Sequence, residues 1–359
     1  MPTSSPPSPP DRPSQARKNL GTILTLNPDT RPVERFLRLD EAYAIAVAAD
    51  RVREPQSRPG YRVYWMRHGF FASRDVPATP DGYVIMGRHT SCDVLIDDER
   101  SVSLRHVLVR SSSTDDGLPV LSVIDLKSST GFVLSDGAKP HAITATGPIA
   151  FRVGTHAVVA IPSAGRVPSE LPTPLVDHEE ARGARDRDKP HAVRLQDAKP
   201  GFSHDDSPRP SRITMTSPAV DLGARRSTWS DAAPSFAPSP TGEPWAYEIA
   251  LEPMAGAPRR AIVRLTASDV DHGVLIGRAD KCVDDGLRSI LNDQVSRVHA
   301  LILRDRGQCH LYDVASSNGT FDERRNRSRC IALDDDGTSV RLVRVNGVCL
   351  HFRSLVKLH

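Results

Sequence analysis

The chain has 359 residues, 47 of them Lys or Arg and 44 Asp or Glu, for a net charge of +3. A balance this close provides no global field for nucleic acid or a membrane surface, so any basic site must be local. Hydrophobic residues make up 38% and the 30 prolines cluster at the N-terminus and in the middle, so part of the chain lacks the apolar content to offset the entropy of ordering.

No run of about 18 apolar residues is present, which excludes a transmembrane helix. The Pro/Ser-rich start lacks the apolar core of a secretory signal. The expectation is a soluble, cytoplasmic protein. Its five cysteines, Cys92, Cys282, Cys309, Cys330 and Cys349, form an odd set without a C-x-x-C pair and read as small buried hydrophobes, with no metal and no cofactor expected.

In chain order, residues 1–59 read as a mostly disordered tail carrying one helix over 33–52. There Phe36, Leu39, Tyr43 and Val47 share a face, with Thr30 as N-cap and Pro32 in the first turn. The helix either docks on the following module or binds a partner. From 60 to 162 the chain turns to short Val- and Ile-rich runs (62–66, 83–86, 106–110, 121–126 and 157–161) bounded by Gly, Asp, Ser and Pro, the pattern of an all-β sandwich. Residues 163–244 mix both charges with proline and read as a long disordered linker that lets its flanking modules move independently. Within it Thr173, Thr216 and Thr241 lie in proline-flanked contexts open to a kinase, and Trp229 and Phe236 are isolated apolar residues. A second strand series fills 245–359, and the absence of alternating helices excludes a doubly wound α/β enzyme fold.

Four short signals recur in the two strand-rich regions. The complete set is Gly277-Arg278, Ser296-Arg297-Val298-His299, Asp313 and Ser316-Ser317-Asn318-Gly319-Thr320. The earlier set is Gly87-Arg88, Ser103-Leu104-Arg105-His106, Asp125 and Ser128-Ser129-Thr130-Gly131. Ser to His is three residues and Asp to Gly six in both, so the chain is a duplicated module. All four signals fall at strand ends, where a sandwich gathers its loops. Together they offer two guanidinium groups, hydroxyls and an amide, which suits a dianionic, oxygen-rich ligand. Asn318 both donates and accepts and therefore suits a peptide backbone, so the set indicates a phosphate carried on an extended peptide.

Both copies resemble the forkhead-associated (FHA) domain, a β-sandwich that binds phosphothreonine peptides. The resemblance covers about 100 residues in each copy, roughly 60% of the chain. It implies that Arg278, Ser296, Arg297 and Ser317 contact the phosphate, that Asn318 bonds the peptide main chain, and that Gly277, His299 and Gly319 hold the loops. The first copy is degenerate: Arg88, Ser103 and Ser129 remain beside the structural His106, but Leu104 stands for Arg297, Thr130 for Asn318 and Phe132 for Thr320. Arg105 is displaced by one residue, which changes the direction of its side chain.

Ser296 and His299 are not expected to form a nucleophile and base, because no acidic orienter or oxyanion motif accompanies them. The run 322–330, with four arginines, lacks stacking aromatics for nucleic acid and reads as a solvated loop beside the peptide groove. The expectation is therefore a non-enzymatic adaptor or scaffold that binds phosphothreonine proteins, Ser/Thr kinases or their substrates, mainly through its second domain, with neither nucleic acid nor membrane as partner. The alternative is a phosphate-independent assembly protein that uses its sandwiches as docking modules.

Overall fold

The computed structural model describes residues 36–67, 69–163, 167–171, 175–177, 212–216, 239, 241–255, 260–282 and 285–356. The tail before 36 and most of the linker, including Thr30, Pro32, Thr173, Trp229 and Phe236, lie outside the described residues.

The expected helix is present as α1 (Leu39–Arg51), shorter at its start than the sequence pattern suggested. Asp40 and Glu41 occupy its first turn, and the Glu41 carboxylate accepts from the Arg38 N–H at 3.2 Å, which caps the helix there. Its buried face is Ala42, Tyr43, Ala46 and Val47, packed on Tyr64, Phe71, Val159 and Ile161 of the first sandwich. Asp50 fixes the other end, accepting from Tyr64 Oη at 2.7 Å and Arg62 at 3.0 Å.

The first sandwich comprises β1 (Gly60–Arg67), β2 (Phe70–Pro77), β3 (Tyr83–Gly87), β4 (Val94–Leu95), β5 (Val107–Ser113), β6 (Pro119–Asp125), β7 (Val133–Leu134), β8 (Ala142–Ala145), β9 (Ile149–Val153) and β10 (His156–Pro162). One sheet has the order β2-β1-β10-β9-β7, and the other runs β8-β6-β5-β3-β4. Two short strands from the linker, β11 (Leu175–Asp177) and β12 (Arg212–Thr216), extend the second sheet, β12 pairing antiparallel with β8.

The second sandwich comprises β13 (Trp245–Pro253), β14 (Ala261–Thr266), β15 (Val274–Ile276), β16 (Ala300–Asp305), β17 (Gln308–Asp313), β18 (Thr320–Phe321), β19 (Arg327–Ser328), β20 (Cys330–Leu333), β21 (Thr338–Leu342) and β22 (Val348–Ser354). Its sheets run β14-β13-β22-β21-β18-β19 and β15-β16-β17-β20. Two short helices, α2 (Ala267–His272) and α3 (Asp285–Arg288), sit between strands of this otherwise all-β series. Thr266 caps α2, its Oγ1 accepting from the Asp269 N–H at 3.2 Å while Asp269 accepts in return from the Thr266 N–H at 2.7 Å.

Each sandwich has its own core, and a third apolar cluster joins the two. On β3 and β5, Val84, Met86, Val107 and Val109 face the first core, while the alternate residues Tyr83, Ile85 and Leu108 face outward. On β15 and β16, Val274, Ile276, Ala300 and Ile302 face the second core, and Leu275, Leu301 and Leu303 point out to meet them. The sandwiches are therefore packed sheet to sheet, which overturns the expectation that they move independently. Equivalent positions serve on both sides: Cys92 and Cys282, Leu108 and Leu301, Leu126 and Val314 all belong to this cluster.

Polar contacts make this interface specific. Tyr83 Oη donates to the carbonyls of Asp313 at 2.8 Å and Arg329 at 2.6 Å, and its ring meets Tyr312 edge-on with centroids 5.4 Å apart. Arg329 lies over the Tyr83 ring and pairs with Asp93 at 2.7 Å. From the opposite side Arg110 lies over Tyr312 and pairs with Asp305. Arg110 is buried whereas Arg329 is half-exposed, and ion pairs of either kind add little net stability.

Candidate functional site at the sandwich apexes

The loops at one end of the second sandwich are built around His299, which is fully buried. Its Nδ1 accepts from the Ser296 N–H at 3.2 Å, so the ring proton sits on Nε2, which donates to the Gly319 carbonyl at 3.2 Å. Burial, opposed by Asp313 and reinforced by Arg105 of the first sandwich, pushes its pKa down to about 4. With both ring nitrogens committed to backbone groups, His299 is a neutral strut and not a base for Ser296.

The other anchors hold the same loops. Asp313 accepts from Ser316 N–H at 2.7 Å, Ser316 Oγ at 2.6 Å and Thr320 Oγ1 at 2.8 Å. Gly319 has φ +81°, a conformation costly for a side chain, and its N–H donates to Ser316 Oγ at 3.0 Å. Gly277 is required for a different reason, since a Cβ there would stand 2.3 Å from the Arg297 carbonyl.

Most of the predicted ligand-contacting side chains are tied to this frame. Ser317 N–H donates to Ser296 Oγ at 3.0 Å, and Asn318 Nδ2 donates to the Gln294 carbonyl at 2.7 Å. Arg278 Nε donates to the Val295 carbonyl at 2.5 Å, and its terminal nitrogens make no hydrogen bond among the described residues. Arg278, Arg297, Ser317 and Asn318 are exposed, whereas Ser296 is buried. From the basic run, Arg327 leans over Gly319, so this loop does border the apex.

The first apex repeats the frame. Ser103 N–H donates to His106 Nδ1 at 3.0 Å, His106 Nε2 reaches the Gly131 carbonyl at 2.7 Å, and Ser129 N–H donates to Ser103 Oγ at 3.2 Å. Burial holds His106 below the usual imidazole range. Arg88 Nε bonds the Val102 carbonyl, as Arg278 bonds that of Val295. Thr130 reaches the Ser101 carbonyl at 3.2 Å, the position equivalent to the one Asn318 bonds.

Arg105 turns away from its own apex. It is 5% exposed and donates twice, at 3.0 and 2.6 Å, to the Ala315 carbonyl of the second sandwich. Lys281 makes the reciprocal contact, its Nζ donating at 2.6 Å to the carbonyl of Lys127. Ala315 and Lys127 are equivalent residues, two after the repeated Asp, and both have positive φ (60° and 51°) without being glycine. Each strained apex turn is thus held by a cation from the other copy. Sequence reasoning missed Lys281, which lies outside every repeated motif.

The FHA domain pattern matches residues 84–144 and 274–339, one stretch in each sandwich, each taking in its four signals. The chain contains two FHA domains. Among solved structures, the chain is similar to the first FHA domain of Mycobacterium tuberculosis Rv1747, 21% identical over 30% of this chain and 97% of its own, with a TM-score of 0.22. The FHA domain of Chlamydia trachomatis CT664 is 17% identical over 28% of this chain and 95% of its own, with a TM-score of 0.24. Mycobacterium tuberculosis EmbR in complex with a low-affinity phosphopeptide is 20% identical over 36% of this chain and 31% of its own, also at 0.24. No curated protein matches the chain. Among the described residues, no helix is long and apolar enough to cross a membrane, and no group of three or more His, Cys, Asp or Glu is arranged to hold a metal.

Proposed function

We propose that this protein is a cytoplasmic, non-enzymatic adaptor in Ser/Thr kinase signalling that binds phosphothreonine proteins mainly through its second FHA domain, residues 245–359. The observation that carries this reading is the second apex, where exposed Arg278, Arg297, Ser317 and Asn318 stand on a frame fixed by His299, Gly277 and Gly319. A phosphothreonine brings about two negative charges and three acceptor oxygens. Arg278, Arg297 and the hydroxyls of Ser296 and Ser317 supply the donors, and Asn318 reads the peptide main chain. The partners are Ser/Thr kinases or their phosphorylated substrates.

The first FHA domain, residues 60–162, fits the docking role better. Its Arg105 is spent on the second domain, and its outward sheet face is covered by it. The test is titration of the full chain with a phosphothreonine peptide library. Arg278→Ala is expected to cost roughly 2 kcal/mol, about thirtyfold in affinity. Asn318→Ala should weaken binding without unfolding the domain. Unchanged affinity in both folded variants overturns the site.

A further inference from the structure

Between the two apexes lies a cleft of about 240 Å³ lined by Arg88, Ser103, Leu104 and Arg105 of the first FHA domain and by Ala279, Lys281, Arg297 and Val298 of the second. Four of these residues are cations and none is a carboxylate. We propose that this cleft is a second, composite phosphate site, in which Lys281 and Arg297 supply the charge that Leu104 removed from the first apex, so that the tandem recognises a peptide phosphorylated twice. The proposal rests on the reading of the second apex as a phosphothreonine site.

Three observations carry it. The first apex keeps its donors posed for an anion, because Arg88 is anchored through Nε like Arg278 and has no terminal hydrogen bond among the described residues. The cations are also crowded: burial lowers the pKa of both Lys281 and Arg105, and the nearby Arg297 lowers each further. Asp125 opposes this at Lys281 and Asp313 opposes it at Arg105, but each carboxylate also accepts from the N–H of its own turn, Ser128 at 2.9 Å and Ser316 at 2.7 Å. An anion in the cleft relieves that repulsion, and the volume is several times the roughly 30 Å³ that one water occupies.

The third observation is Arg297 itself, which is exposed, has no ion pair among the described residues, and borders both the cleft and the Ser296 loop. A ligand that places one phosphate at Arg278 therefore passes within reach of the cleft. At about 3.3 Å per residue of extended chain, a second phosphate only a few residues away enters it. A free phosphate ion lacks this link and gains nothing from the first contact.

The experiment uses the full chain and two peptide sets, one singly phosphorylated on threonine and one carrying a second phosphothreonine about two to six residues to either side. At one spacing the doubly phosphorylated peptide is expected to bind about tenfold or more tighter than its singly phosphorylated parent. Lys281→Gln, which keeps a donor for the Lys127 carbonyl, and Arg88→Ala, which leaves the domain interface alone, should each bring that ratio towards one. A ratio of one at every spacing overturns the cleft site, as does a gain that survives both substitutions. Failure of the parent reading shows separately, as singly phosphorylated peptides whose binding ignores Arg278→Ala.

Discussion

In the first FHA domain His106, Ser128 and Gly131 make the loop contacts that His299, Ser316 and Gly319 make in the second, yet the tips above them have diverged. Where Thr320 bonds Asp313, Phe132 instead fills the first core against Phe151, with ring centroids 5.6 Å apart. Both Arg297 and Leu104 line the shared cleft, but Arg297 is exposed and charged where Leu104 is half-buried and apolar. The difference separates two demands on one motif. Frame residues satisfy buried backbone groups and are held by stability, because leaving such groups unpaired costs about 1–3 kcal/mol each. Tip residues face solvent and cost the fold little when they change.

The largest test of this comparison concerns what the first domain gained in exchange. Tyr83→Ala removes an aromatic ring and two carbonyl contacts from the interface and is expected to cost about 3 kcal/mol or more in denaturant unfolding. Independent sandwiches would lose far less, and the second would unfold unchanged. A single transition that shifts as a whole supports coupling.

Both frames are acid-sensitive, since burial holds His106 and His299 below the usual imidazole range. His299 titrates near 4 when folded and near 6.5 when unfolded, so the unfolded chain takes up the proton first. The stability contributed by neutral His299 is full above about 6.5 and is lost as pH falls towards 4, up to roughly 3 kcal/mol. Unfolding midpoints measured across that window should fall steeply in the wild type and less steeply in His299→Gln. Equal slopes would show that the histidine is not held neutral.

The smallest effect is the repair of the first tip. Leu104→Arg with Thr130→Asn, made in an Arg278→Ala background to silence the second tip, should recover about 1 kcal/mol of phosphothreonine affinity, since Arg88, Ser103 and Ser129 already stand on an intact frame. No recovery would mean that Phe132 has reshaped the loop beyond what two side chains restore.

Much of this was legible in the sequence, because the frame motifs are short, local and repeated at fixed spacing. The interface was also partly written there, and was misread. Runs such as Tyr83–Met86 and Ala300–Leu303 are apolar at every position, whereas a strand with one solvated face alternates. That continuity signalled cover on both faces, but it names no partner, and the linker composition argued for independence. Arg105 and Lys281 could not be assigned from sequence, since each bonds a carbonyl more than 150 residues away. Residues 36–38 of the 33–52 pattern lie outside the helix because apolar periodicity does not mark a start, whereas Asp40 and Glu41 do.

The crosswise capping of Lys127 and Ala315 has a further consequence. The two caps come from non-equivalent positions, Arg105 and Lys281, but the apolar cluster beside them draws on equivalent residues of both copies, as the interface of a two-fold dimer does, and here both halves travel on one chain. Their pairing therefore does not depend on protein concentration, so dilution should leave the unfolding midpoint where it is. The covered sheets are also withdrawn from contact with other copies, which leaves the two tips, side by side and free to diverge, as the face turned towards ligands.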